Sequence, residues 1–154
     1  MSLWLLRAGS SGEYESKFLS DNCVYVTWQG FDNDLSQFSS QDELRQSLSK
    51  YYPDQKPGTI KNWSSQIWPF GHRMEIGDWV VLPSKKKASI HFGKITGKYQ
   101  FLPNAQDPFF HSREVEWFAT DIPRSNFDQD ILYSFGAFMT ICRISRNNAE
   151  QRIH

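Results

Sequence analysis

A chain of 154 residues is long enough for one domain with a core of its own and too short for two ordinary ones. Its 17 basic and 17 acidic side chains cancel. That excludes a protein that coats nucleic acid by charge alone, although a local patch can still make a few phosphate contacts.

Six Trp, six Tyr and twelve Phe dominate the apolar content, and most of these rings must be core. Some fall in polar stretches, where burial explains them poorly. No run approaches the roughly twenty apolar residues of a membrane-spanning helix. The start, MSLWLLRAGSSG, has a short apolar run with no basic region before it, unlike a signal peptide, so a cytoplasmic protein with no membrane partner is expected. Cys23 and Cys142 sit far apart in apolar segments, and neither a CxxC pair nor an HxxxH pair is present. Free thiols, no metal and no cofactor are expected.

In chain order, Leu3–Ala8 reads as a short apolar strand ending at a glycine-serine loop. Tyr14–Leu19 reads as one or two helical turns, with Glu13 and Glu15 at the favourable end of the dipole. Asn22–Trp28 is rich in strand formers and runs into the loop Gly30–Asp34. The best-signalled helix follows: Ser39 or Ser40 caps it, Asp42 and Glu43 lie in its first turn, and Leu44, Leu48 and Tyr51 share a face until Pro53. Thr59 is expected to cap a second helix whose Ile60, Trp63, Ile67 and Trp68 recur at helical spacing, with Pro69-Phe70-Gly71 closing it.

The stretch Glu75–Tyr99 is the organising element. Gly77-Asp78 starts a strand, Trp79–Leu82 is buried on both faces, and Pro83 and Ser84 end it. Lys85, Lys86 and Lys87 face water in the turn, and Ser89–Thr96 returns. Gly93 leaves room for a close neighbour. Gly97–Phe101 continues or re-enters the sheet. His111–Phe118 is a strand, Ile122–Ser125 a turn, Phe127–Tyr133 a short helix, and Phe138–Ile144 the last strand. Ser145–His154 reads as the start of a polar helix with little to bury. Five or six strands with two or three helices predict an α+β fold, a small and mostly antiparallel barrel with flanking helices.

Catalytic signatures are missing. The loop carboxylates Glu13, Asp21, Asp32, Asp34, Asp107 and Asp128 are scattered, and His72, His91 and His111 have no partner motif. No GxSxG motif or phosphate-binding glycine loop occurs, so this chain is not expected to be an enzyme.

Three pieces in one order, SLWLLRAG, MEIGDWVVLP…IHFGKITGKYQF and HSREVEWF, resemble the PUA-like superfamily and within it EVE and YTH domains. The closer resemblance is to the amino-terminal domain of Mrr-type restriction endonucleases, where a strand like FMTICRI leads through a segment like SRNNAEQRI into a nuclease domain. The resemblance implies a recognition domain over residues 1–145, with 146–154 as a linker toward a nuclease domain. It implies bacterial defence by a restriction system whose reader holds an extruded, modified base of double-stranded DNA in an aromatic pocket.

Carried onto this chain, the resemblance places Trp28 as a stacking wall and Asn62, Trp63, Ser64 and Gln66 along the pocket. From the residues themselves, Phe31, Tyr99 and Arg7, a cation at the end of the first strand, are expected to join them, and Lys85, Lys86, Lys87 and Lys94 are the expected phosphate contacts. Each has a plainer reading. Trp28 reads equally as a lid on the barrel, Trp63 is spaced to pack with Ile67, and a lysine turn is usually just solvated. The resemblance leaves methyladenine and modified cytosine both open as the base that is read. An RNA-binding PUA module and a protein-interaction or small-molecule-sensing barrel are the competing readings.

Overall fold

Four helices and seven strands form in the computed structural model, which describes residues 1–136 and 139–144. In order they are β1 (Leu3–Leu6), α1 (Glu15–Asp21), β2 (Cys23–Val26), α2 (Gln41–Tyr51), α3 (Pro57–His72), β3 (Trp79–Pro83), β4 (Ser89–Ile95), β5 (Gln100–Phe101), β6 (His111–Pro123), α4 (Gln129–Phe135) and β7 (Ile141–Arg143). Single 3-10 turns lie at Leu35–Gln37 and Arg124–Asn126. The sheet order is β2-β6-β4-β3-β1-β7, with β5 added to β6. The fold is mixed α+β with a curled sheet. Its described residues fall into two compact units.

The first unit comprises Met1–Val24, Glu75–Lys98 and the described residues from Arg113 onward. The lysine-tipped hairpin forms as its sequence predicts, with Val81 opposite Phe92 and Leu82 opposite His91. On the other side of β3, β1 runs parallel, Leu5 beside Val81, so the sheet is not wholly antiparallel. The strand start at Gly77-Asp78 is fixed by the buried Asp78 carboxylate. It accepts from Ser2 N–H and Glu75 N–H and from the Trp4 indole N–H, each at 3.0 Å. Three donors on one carboxylate offset much of the cost of burying its charge.

Helix α4 closes one face of this sheet. Its Ile131 and Phe135 pack with Leu3, Leu5, Val81, Ile90 and Phe92. Gly93 serves the close approach its sequence suggests: a Cβ there would lie 2.9 Å from Trp117 Cε3, closer than real contacts allow. The indole of Trp117 is pinned by a 3.0 Å bond to the Phe18 carbonyl. Helix α1 is tied to the hairpin by Ser84 Oγ, which donates to Glu15 Oε2 at 3.1 Å.

The second unit is Tyr25–Met74 and Tyr99–Ser112. Helices α2 and α3 pack together in it, burying Leu44, Leu48, Ile60 and Ile67. Ser40 is the N-cap of α2 and accepts from Glu43 N–H at 3.3 Å, while the Glu43 carboxylate reaches back to Ser39 N–H at 2.8 Å.

Several boundaries differ from those predicted. Helix α3 begins at Pro57, not Thr59, because proline's fixed φ and missing donor suit a first helical position. It also runs through Pro69 to His72. Ile67 and Phe70, both fully buried, hold the last turn in place, and Ser65, whose carbonyl loses its donor, is exposed to water. Strand β6 continues to Pro123, past the predicted turn at Ile122. Register shifts opposite Phe92 and a positive φ of 56° at Asp121 break the alternation that would have revealed it. Strand β5 has two residues and β7 three, both shorter than expected. Phe138 and the predicted tail helix at 145–154 lie outside the described residues.

Candidate aromatic recognition site

Past β2 the chain turns sharply. Phe31 N–H donates to the Trp28 carbonyl at 3.3 Å, and Gly30, third in this four-residue turn, has φ +78°. Only glycine takes that conformation without strain. The Gly30 N–H is held by Asp107 Oδ1 at 2.8 Å, and the Gln29 carbonyl by the Tyr52 hydroxyl at 2.5 Å. The turn sends Trp28 and Phe31 to different surroundings. Phe31 is fully buried, edge-on to Tyr51 with centroids 4.9 Å apart, whereas Trp28 is only partly buried.

Trp28 meets Trp63 of α3 at 6.1 Å and 69°, and Trp63 meets Tyr52 at 5.3 Å and 84°. All three rings are partly open to solvent. Edge-to-face packing fixes each ring by its neighbour's edge and quadrupole. Burial first, then the Asp107 charge, pushes the Tyr52 phenol up to about 12, so it remains a neutral donor to Gln29. Sequence reasoning missed Tyr52, because it follows the last apolar position of α2 and precedes Pro53, where it reads as a helix end.

The loop from Phe31 to Leu35 is anchored from beneath. His111 is fully buried, and its Nε2 lies 2.7 Å from the Phe31 carbonyl, which can only accept. That nitrogen therefore carries the proton. In the neutral ring Nδ1 then accepts from the Tyr99 hydroxyl at 2.7 Å, and Tyr99 in turn accepts from Leu35 N–H at 3.0 Å. Burial lowers the His111 pKa, against smaller opposing effects from the Phe31 carbonyl and Asp34. Burial also raises that of Tyr99. His72, stacked 3.7 Å from Trp68, donates from Nε2 to the Leu35 carbonyl at 2.8 Å. Tyr99 thus works as a clamp under the loop.

The other expected pocket residues divide. Asn62 is exposed at the start of the Trp63 turn, and its Oδ1 accepts from Gln66 Nε2 at 2.7 Å, which leaves its amino group toward solvent. Gln66 is buried and spends that donor on Asn62. Ser64 is buried and bonds the Lys61 carbonyl at 2.7 Å, so it fastens the helix. Phe31 offers no open face, which makes it a packing residue. Trp28, Trp63 and Asn62 keep surface to present, whereas Tyr99, also partly open, spends its hydroxyl on the loop.

Arg7 and the lysines belong to the first unit. Arg7 Nη2 donates to the Phe135 carbonyl at 3.0 Å, at the end of α4. Lys85, Lys86, Lys87 and Lys94 are exposed. Lys86 Nζ reaches Ser16 Oγ at 3.2 Å and Lys87 Nζ lies 3.8 Å from Asp121, while Lys94 sits opposite Trp79 and Glu116 in the sheet.

Of the histidines named above, His72 and His111 hold carbonyls of one loop, and His91 accepts from Asp121 N–H at 3.0 Å in the first unit. No group of three or more His, Cys, Asp or Glu among the described residues could hold a metal ion. Cys23 and Cys142 are free and partly buried. No helix among the described residues is long and apolar enough to cross a membrane.

What stands out is therefore an α+β chain with a partly open aromatic cluster built from the turn after β2, the end of α2 and α3. The chain belongs to the family described as Domain of unknown function (DUF8426), whose profile matches residues 4–142 and so spans every candidate residue named above. No curated protein and no solved structure matches the chain.

Proposed function

We propose that this is a nucleic-acid recognition domain of PUA-like, EVE/YTH type, which holds an extruded, modified base of DNA against Trp28, Tyr52 and Trp63. One observation carries the reading: three aromatic rings keep part of their surface open while packing edge-on to one another, and the turn beside them is held by Asp107 on the Gly30 N–H and by the Tyr52 hydroxyl on the Gln29 carbonyl. A platform that does not rearrange suits stacking, because little side-chain freedom is lost when a base arrives. The outward amino group of Asn62 would add a donor for a base edge. The resemblance to Mrr-type enzymes extends this to the reader module of a modification-dependent restriction system, cleavage being left to another domain.

The test is a titration of matched duplexes carrying methyladenine, methylcytosine, hydroxymethylcytosine or no modification, with RNA alongside. Trp28→Ala and Trp63→Ala should each lose about 1–3 kcal/mol of the preference for the modified base with the fold intact. Phe31→Ala is the contrast: removing a fully buried ring should cost about 3–5 kcal/mol of stability instead. A Trp28→Ala protein that unfolds, or binds as its parent does, makes Trp28 a packing residue and ends the reading. Preference for RNA would select the PUA alternative. Binding to no nucleic acid would select the protein- or small-molecule-binding barrel.

A further inference from the structure

The aromatic cluster continues past the three rings that would hold one base. Tyr52 is followed by Tyr51, whose ring centre lies 6.4 Å away and which is 38% exposed. An exposed tyrosine ordinarily moves, but this one is locked. Its hydroxyl donates to Asp32 Oδ1 at 2.5 Å, and its ring stands at 77° to Phe31. The bond to Asp32 pushes its pKa up to about 12, so the phenol keeps its proton. Beside it opens a recess of about 340 Å³, lined among others by Asn33, Gln37, Phe38, Gln46 and Lys50. That volume lies at the small end of ligand sites and has room for one base.

The polar lining is half ordered and half unengaged. Gln37 donates to Asn33 Oδ1, and Asn33 donates to Ser47 Oγ at 2.7 Å, which orients both amides. Glu43, also on the rim, is occupied by Ser39 at 2.8 and 2.9 Å. The Gln46 amide and the Lys50 ammonium have no partner among the described residues. Together they supply a two-way hydrogen-bonding group and a cation beside a fixed ring.

We propose that this recess is the subsite for the nucleotide next to the base held at Trp28 and Trp63, so that the ligand is locally unpaired DNA of at least two unstacked nucleotides, not a single base turned out of an otherwise intact duplex. The inference rests on the base-holding reading above. A run of locked rings, each within about one ring's reach of the next, is the arrangement single strands use for successive bases. A neighbour that must leave its own stack to reach Tyr51 costs least when it is already unpaired.

The experiment measures anisotropy of labelled DNA of about 12 nucleotides carrying one methyladenine or one methylcytosine. Each is presented as a full duplex, as a duplex mismatched at the neighbouring position, and as a single strand with an intact or abasic neighbour. The unpaired neighbour should tighten binding about 5-fold or more over the full duplex, and the abasic neighbour should abolish that gain. Tyr51→Ala should abolish it too. Gln46→Ala with Lys50→Ala, both on the exposed face of α2, should reduce it in a protein whose fold is not at risk. Equal binding to paired and unpaired neighbours, with Trp28→Ala still abolishing base preference, overturns this subsite and leaves the first site standing. A gain that survives both sets of substitutions overturns it as well. Failure of the parent protein to bind any of these probes overturns both readings.

Discussion

His111 shows how a single side chain can set the position of a site it does not reach. It joins the Phe31 carbonyl to the Tyr99 hydroxyl, and Tyr99 holds Leu35, so one imidazole fixes both ends of the loop that follows Trp28. Burial disfavours the charged ring and lowers its pKa below the ordinary 6.5. The sign follows directly. Below about pH 6.5 the unfolded chain's histidine takes up a proton that the folded chain refuses, so folding loses stability as the pH falls. The loss levels off below the folded pKa. Melting curves between pH 7.5 and 5 should show this decline, and His111→Gln, which keeps a donor for Phe31 but does not titrate, should flatten it. Carboxylate effects lie in a lower window, because the lowered groups Glu13 and Glu43 start from 4.5. An equally steep decline in His111→Gln would assign the pH dependence to other groups.

At the scale of elements, sequence pattern was informative where one local rule decided the outcome. The Ser40 cap, the Gly77-Asp78 start and the lysine-tipped hairpin are local chemistry, and each lies where its residues put it. The pattern failed where distant packing overruled the local rule. Pro69 is the clearest case: a helix breaker by its own preference, it is carried through by Ile67 and Phe70 on the buried face. Asp121 is another, since its left-handed backbone lengthens β6 beyond any visible alternation. The site divides in the same way. Trp28 and Trp63 came into view through the family resemblance, Trp28 helped by its polar neighbours and Trp63 against a spacing that reads as packing on Ile67, whereas Tyr52 and the Tyr99–His111 clamp depend on contacts across many residues. Pro69 also offers a test. Pro69→Ala returns an N–H to the Ser65 carbonyl and should stabilise the chain, by about 1 kcal/mol or more, against an intrinsic helix-interior difference of about 3. A urea midpoint that falls instead would mean that the proline ring's own packing outweighs the restored hydrogen bond.

For the whole molecule the question is where attraction to DNA would come from when the net charge is zero. The unit that carries the aromatic cluster has five basic side chains, at 45, 50, 56, 61 and 73, and six acidic ones, at 32, 34, 42, 43, 54 and 107. Stacking there adds little charge-driven affinity. The concentrated cations are Lys85, Lys86 and Lys87 in the other unit, exposed at a hairpin tip. Their present partners are weak competitors, since the Lys87–Asp121 pair is 3.8 Å long with side chains 69% and 53% exposed. An exposed pair of that kind contributes at most about 1 kcal/mol and exchanges readily for a phosphate. Each phosphate contact on B-DNA steepens the dependence of log K on log salt by about 0.9. If the three lysines supply the contacts, the parent slope should be about −3 and the triple alanine variant should approach zero. The preference for a modified over an unmodified duplex should be the same in both proteins at any one salt concentration, because stacking reads the base and the lysines do not. A slope unchanged by the triple substitution would show that the hairpin tip points away from the DNA. A changed base preference with an unchanged slope would mean that the turn shapes the base site, and the division of labour between the two units would be wrong.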